Sequence, residues 1–371
     1  MEPPQDPLIQ AASAFPARLY EVIGNCYGLS NAPRVWYNKV RDTLLAAGFH
    51  QHSFDRCLFY HLDENQQLDA ILIVHVDDFM ATYSQTFPLH TLEEMFEWGS
   101  VTKVDEQTPG EYRGKEIQLV KQDGKFVYKV TQKKFLDNLT EGKIKVGRLQ
   151  QSPELTPSEW QEMRSVCGCL QWIGGQTRPD VSSTASLAHR GHETDINDLK
   201  KLHEALKYAK MTADSGLTFP AVPLGKSSVI VTFADSGWAN AARFSSQFGV
   251  MIVLCPAQVT EKTCYGFPLD WKSGRSPRIC RSTLAAEACA ADEGTDRSCF
   301  LNMFLTELLF PKQAKMGEMR MSALHVTDAK SLYDVLIAEN PVLSEKRATM
   351  NVRSVQQVLA PSLRPSWLQM V

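Results

Sequence analysis

Five carboxylates stand at spacings that permit phosphoryl chemistry. Asp77 and Asp78 adjoin within residues 68–84, LDAILIVHVDDFMATYS, where an apolar run over 70–74 leads through His75 and Val76 into the pair. Two negative charges side by side at the end of a buried strand repel each other and are partly desolvated, which a shared cation relieves. Two divalent ions held by such carboxylates are the usual machinery for phosphoryl transfer between nucleotides. Taken alone, an Asp-Asp pair is also ordinary solvated turn chemistry. The second set is spread along the chain. Asp235 ends a β-branched run over 228–234, Glu287 lies near the first turns of a helical pattern over 282–309, and Asp328 ends a strand pattern over 323–327. Strand-end Asp, helix Glu and strand-end Asp can converge around metal ions, although each by itself is a plain strand-end or helix-start carboxylate.

The elements that must position these acids follow from periodicity. Apolar run, acidic turn, apolar run predicts a β-hairpin with one strand well buried, and residues 54–60 read as a strand able to pair with it. Trp36, Val40, Leu44, Leu45 and Phe49 predict a helix over 35–49, with Pro33 in its first turn, Asn31 helping to cap it and Gly48 near its end. Thr156-Pro157-Ser158-Glu159 is a capping box, and Trp160, Met163, Val166, Cys167 and Leu170 form the core face of its helix. Leu199, Leu202, Leu206 and Ala209 mark another helix, with Gly216 beyond its end. Residues 249–254 and 265–271 read as further strands, 1–15 as a proline-rich lead-in and 220–225 as a linker.

A chain of 371 residues is long enough for two or three domains. Hydrophobic content of 43% and charged content of 22% exclude wholesale disorder. The net charge of -3 argues against a uniformly basic coat but allows a local patch. Such a patch falls in 121–148, where Lys121, Lys125, Lys129, Lys133, Lys134, Lys143, Lys145 and Arg148 face only Asp123, Asp137 and Glu141, with Phe126, Tyr128 and Phe135 interleaved. It reads either as a salt-screened surface tracking a phosphate backbone or as a solvated charged face. Nine irregularly spaced cysteines suggest a reducing compartment. Cys167 and Cys169 form no zinc pattern, and His189, His192 and His203 read as surface or capping residues. No apolar stretch reaches the ~20 residues of a membrane span. The expectation is a soluble intracellular protein, cytoplasmic or nuclear, with no evident targeting signal.

YGLSNAPRVWY at 27–37, GFHQHSFDRCLFY at 48–60 and ILIVHVDDF at 71–79, in this order, resemble the reverse transcriptase of copia-type (pseudoviral) LTR retrotransposons. Tyr112-Arg113-Gly114-Lys115-Glu116-Ile117 resembles the segment after the catalytic hairpin. Thr177-Arg178-Pro179-Asp180 resembles the TRPD motif between polymerase and ribonuclease H regions. FADSGWAN, RSTLAAEACA and VTDAKSLYDV resemble the first three acidic motifs of the ribonuclease H domain, including the approach Arg281-Ser282-Thr283. The resemblance implies an α+β palm, thumb and connection fragment followed by an α/β ribonuclease H-like domain with a mixed sheet flanked by helices. The corresponding boundaries are 1–120, 121–219 and 226–371.

The resemblance also implies roles. Asp77 and Asp78 would bind catalytic magnesium, and Asn31 and Arg34 would lie under the incoming nucleotide. Lys121, Lys125, Lys129, Lys133 and Lys134 would face the duplex. Asp235, Glu287 and Asp328 would bind two Mg²⁺ (or Mn²⁺) and activate water against the RNA strand of an RNA–DNA hybrid. Three departures qualify this. Asn31 replaces a Gln one methylene longer. The third polymerase carboxylate of such enzymes lies upstream of the matched region, and Glu2, Asp6 and Glu21 are not set in a buried strand. A late histidine or aspartate finds no match in Asp334, Glu345, Asn351 or 360–371. The expectation is therefore a retroelement fragment truncated at both ends, without polymerase activity and with weak hybrid-directed ribonuclease activity. Its partners would be an RNA–DNA hybrid or primer-template and a complementing retroelement chain. The alternative is a catalytically dead nucleic-acid-binding remnant.

Overall fold

The computed structural model describes residues 28–188, 190–312, 317–341, 343–359 and 363–367. The lead-in with Glu2, Asp6 and Glu21, His189, the side chain of His192 and most of 360–371 lie outside the described residues. The chain divides into two compact units, Met1–Trp98 and Gly99–Val371.

In the first unit, helix α1 (Ala32–Ala46) starts three residues earlier than the apolar spacing predicts, with Pro33 in its first turn. Asn31 occupies the N-cap position, but its side chain makes no capping hydrogen bond, contrary to expectation. Gly48, at φ +88°, turns the chain so that Phe49 packs back into the core beside Val40 and Leu44. Strands β1 (His50–Gln51), β2 (Leu58–Leu62), β3 (Leu68–His75) and β4 (Asp78–Tyr83) form an antiparallel sheet in that order. β2 begins at Leu58 rather than at residue 54 because the His52 ring accepts from the backbone N–H groups of Phe54 and Asp55, curling 52–55 into a loop. β3 buries Ala70, Leu72 and Val74 on one face, while Ile71 and Ile73 are half-buried on the other. A short helix, α2 (His90–Glu93), follows.

In the second unit, β5 (Gly110–Tyr112), β6 (Lys115–Gln122), β7 (Lys125–Thr131) and β8 (Leu217–Pro220) make a second antiparallel sheet. The 120/121 boundary drawn from sequence falls inside β6, and β8 ends at the start of the expected linker. Between β7 and β8 lie α3 (Lys133–Asn138), α4 (Pro157–Gly174), α5 (Pro179–Ala188) and α6 (Ile196–Met211). They share a core of Leu136, Met163, Leu170, Val181, Leu199 and Leu202. The capping box forms as expected: Glu159 N donates to Thr156 Oγ1 at 3.3 Å, and the Glu159 carboxylate accepts from Thr156 N at 2.8 Å. Arg178 of the TRPD sequence is buried. Its guanidinium donates to Asp180, to the carbonyls of Ala209 and Thr212 and to Thr212 Oγ1, fastening the start of α5 to the end of α6.

The unit continues through β9 (Ser228–Gly237), β10 (Gln247–Pro256), β11 (Phe267–Arg275), α7 (Thr283–Leu309), β12 (Ser322–Thr327), α8 (Lys330–Ile337), α9 (Lys346–Leu359) and β13 (Leu363–Trp367). The strands form a mixed five-stranded sheet in the order β11-β10-β9-β12-β13. β9, β10 and β11 pair antiparallel, whereas β12 runs parallel to β9 and β13 parallel to β12. α7 lies close on β9 and β10 because the contact face is small: Ala288, Ala291 and Gly294 are buried there. A methyl group on Gly294 would sit 3.1 Å from Thr232 Cγ2, so the helix–sheet distance is set by this absence of side chain.

Candidate metal centre

β12 runs parallel to β9 with Val326 opposite Phe233, so Asp328, two residues beyond Val326, comes level with Asp235, two residues beyond Phe233. α7 opens with Ser282 as N-cap, its hydroxyl accepting from Ala285 N at 3.1 Å, and Glu287 follows in the next turn. Each of the three acids offers a carboxylate oxygen, and these oxygens lie within 4.8 Å of one another. Among the described residues no other group of three Asp, Glu, His or Cys side chains converges in this way.

The acids differ in setting. Asp235 and Asp328 are exposed and Glu287 is half-buried. Asp235 Oδ1 accepts from Ser236 N at 2.8 Å. Glu287 Oε2 is enclosed without a hydrogen-bond partner, an arrangement that costs free energy for a polar atom. Burial, and then the negative charges of Asp235 and Asp328, push the Glu287 carboxyl up to about 7, against a smaller opposing effect of the Ser236 N–H. Three hard oxygen donors, one of them unpartnered and all mutually repelling, fit a divalent cation. A cavity of about 430 Å³ lies over Asp235 and Asp328, with Pro179 and Ser182 of α5 and Trp271 of β11 in its lining. Gly249, opposite Asp235 on β10, leaves open space there, since a methyl group on it would meet nothing within 4 Å.

The Asp77–Asp78 hairpin forms as expected, with Val76 and Asp77 as the two-residue turn between His75 and Asp78. Val76 adopts φ +59°, a conformation that β-branched residues rarely take. Trp36 of α1 donates from Nε1 to the Val76 carbonyl at 2.7 Å, holding the turn. Sequence reasoning assigned Trp36 to the helix face alone, and this bond over 40 residues carries no local signal. Both carboxylates are exposed, as are Asn31 and Arg34 at the start of α1, and no third described acid joins the pair.

The basic stretch is less uniform than its sequence. Lys121 lies on β6, and Lys125 and Lys129 on β7, whereas Lys133 and Lys134 open α3. Lys133 pairs with Asp214 at 2.7 Å and Lys134 with Glu111 at 2.5 Å. Arg148 is not on the surface. It is 9% exposed and fork-bonded to Glu159, whose carboxyl it holds down at about 2. His203 is neither exposed nor a cap: it lies in the middle of α6, largely buried, with Nε2 3.0 Å from Glu162 Oε1. The acids and amide considered for a fourth position are engaged elsewhere or apart. Asp334 pairs with Lys330 at 2.5 Å, and Asn351 bonds Arg278 and, at 2.5 Å, Asp292. Glu345 has a carboxylate oxygen buried without a partner but does not join the three acids.

No protein-family profile matches the chain. The retrovirus-related Pol polyprotein from transposon RE2 of Arabidopsis thaliana is 26% identical over 300 residues, 76% of this chain and 19% of the relative. That from transposon RE1 of the same plant is 25% identical over 297 residues. The putative transposon Ty5-1 protein of Saccharomyces cerevisiae is 23% identical over 277 residues, covering 70% of this chain and 82% of the yeast protein. The homologues of this chain are thus retrovirus-related Pol polyproteins from copia-type transposons. The chain spans about a fifth of the length of the Arabidopsis relatives. Among solved structures, the foamy viral protease-reverse transcriptase in complex with an RNA/DNA hybrid is similar over 93% of this chain and 39% of its own, with TM-score 0.42 and 11% identity. The N-terminal RNase H domain of a Mycobacterium tuberculosis protein is similar over 38% of this chain and 82% of its own, with TM-score 0.25 and 14% identity.

Proposed function

We propose that residues 226–371 form a ribonuclease H-like domain that hydrolyses the RNA strand of an RNA–DNA hybrid at Asp235, Glu287 and Asp328. On this reading the residues before them derive from reverse transcriptase fingers, palm, thumb and connection, with Asp77 and Asp78 on the hairpin of a polymerase metal site. The observation that carries the proposal is the convergence of three carboxylate oxygens within 4.8 Å, drawn from two neighbouring parallel strands and one helix. Bound Mg²⁺ or Mn²⁺ would neutralise charge on the scissile phosphate and make water a nucleophile near neutral pH. The chain's own part is positional. Asp235 and Asp328 line the cavity, and Glu287 would give up its proton on cation binding, so cation affinity is expected to rise with pH through about 7. Lys125 and Lys129 would contact the nucleic-acid backbone from one face of the neighbouring sheet and Lys121 from the other, with Lys133 and Lys134 exchanging their carboxylate partners for phosphate. The test is hybrid cleavage that requires added Mg²⁺ or Mn²⁺ and disappears in Asp235→Asn. Hybrid binding without cleavage by the parent protein would instead support the binding-remnant reading.

A further inference from the structure

The β6–β7–β8 sheet carries an exposed aromatic row that the nuclease reading does not use. Residues paired across antiparallel strands share a face. The register therefore sets Lys121 beside Phe126, and Leu119 beside Tyr128 and Phe219, on one face of this sheet. On that face Phe126 is 47% and Tyr128 46% exposed. Two large rings on alternate positions of one strand stand about 6.8 Å apart, equal to two 3.4 Å steps of a stacked nucleic-acid strand. The platform is fixed at both ends. Phe219 packs on Phe267 of β11 with ring centroids 5.8 Å apart, and Tyr265 donates to Asp123 at the β6–β7 turn at 2.9 Å. Lys121, on this face, forms no ion pair with a described residue, whereas Lys133 and Lys134 each do.

We propose that this face binds single-stranded nucleic acid, with bases stacked on Phe126 and Tyr128 and the phosphate backbone held by Lys121. Flat rings on a rigid sheet accept any base, and the unpaired Lys121 ammonium beside them supplies the charge complement to phosphate. A duplex hides its base faces, so the site selects single strands. The inference rests on the backbone-binding reading of the lysines and adds the substrate form and the residues that recognise it.

The test uses the full chain carrying Asp235→Asn, in EDTA, so that nuclease activity does not enter. Fluorescence anisotropy follows a labelled mixed-sequence single-stranded DNA, its RNA counterpart and the corresponding duplex. Phe126→Ala and Tyr128→Ala are each expected to weaken binding of both single strands about tenfold or more, and duplex binding little. Lys121→Gln should reduce the slope of log affinity against log salt by about 0.7. Phe126→Leu and Tyr128→Leu, which keep apolar bulk but lose the ring, serve where the alanine variants melt early. Unchanged single-strand affinity in the ring variants, with Lys121→Gln still lowering the salt slope, would overturn base stacking while leaving backbone binding in place. Equal ring dependence for duplex and single strand would overturn the selectivity.

Discussion

Replacing Glu287 by glutamine should stabilise the cation-free protein while abolishing its chemistry. The carboxyl rises from 4.5 to about 7 on folding, through burial and the charges of Asp235 and Asp328. A carboxyl raised in this way holds its proton longer folded than unfolded. Its contribution is therefore fully favourable below about pH 4.5 and is lost as pH rises through about 7. At about 1.4 kcal/mol per pH unit the interval corresponds to on the order of 3 kcal/mol. Glu287 is only partly buried, and solvent screening reduces this to about 1–2 kcal/mol. Glutamine keeps the shape of the neutral acid and never ionises. In EDTA at pH 8, Glu287→Gln should thus raise the melting temperature of the second unit by about 2–8 °C, and at pH 4 the two proteins should melt together. Added Mg²⁺ should raise the melting temperature of the parent and leave the variant where it was. A variant that melts at or below the parent at pH 8 without metal would refute the claim that the three acids repel one another in a site shaped for a cation.

Three further outcomes are expected. His325, buried on β12, is held at about 4, below its ordinary 6.5, by loss of hydration. Its stabilising neutral form is fully present above about pH 6.5, and on the order of 3 kcal/mol is lost as pH falls to 4; chemical denaturation across this range should show that loss in the parent and not in His325→Gln. Arg178→Ala leaves Asp180 and the Ala209 and Thr212 carbonyls without their donor, and should cost about 3–5 kcal/mol in urea denaturation. Val76→Gly removes a β-branched residue from φ +59° and should stabilise the first unit by about 0.5–1 kcal/mol, measured by thermal melting.

The acidic sites were legible because their elements carry strong local patterns. The β-branched run before Asp235, the helical periodicity around Glu287 and the strand pattern before Asp328 place each acid on its element, although β9 continues past Asp235 to Gly237, and parallel pairing of β9 with β12 does the rest. The Asp77–Asp78 hairpin was legible for the same reason. What escaped depends on partners distant in sequence or on geometry without a residue signature. Strand β8 is four residues long and gains its identity only from β7. The loop at 52–55 forms because one His52 nitrogen takes two backbone donors, a bond pattern that competes with the strand the sequence favours. Arg148 reads as part of a basic surface until Glu159, eleven residues away, encloses it. Arg178 is a packing anchor between two helices, a role that its place in the TRPD sequence does not signal.

Cleavage of a labelled RNA–DNA hybrid, in Mg²⁺ and in Mn²⁺, by the full chain beside Asp235→Asn, puts the three-acid site to its most direct test. The expected result is RNA-strand cleavage by the parent in at least one metal, none in EDTA and none by the variant. Equal cleavage by Asp235→Asn, or none by a folded parent in either metal, would contradict the assignment of Asp235, Glu287 and Asp328 as a nuclease site.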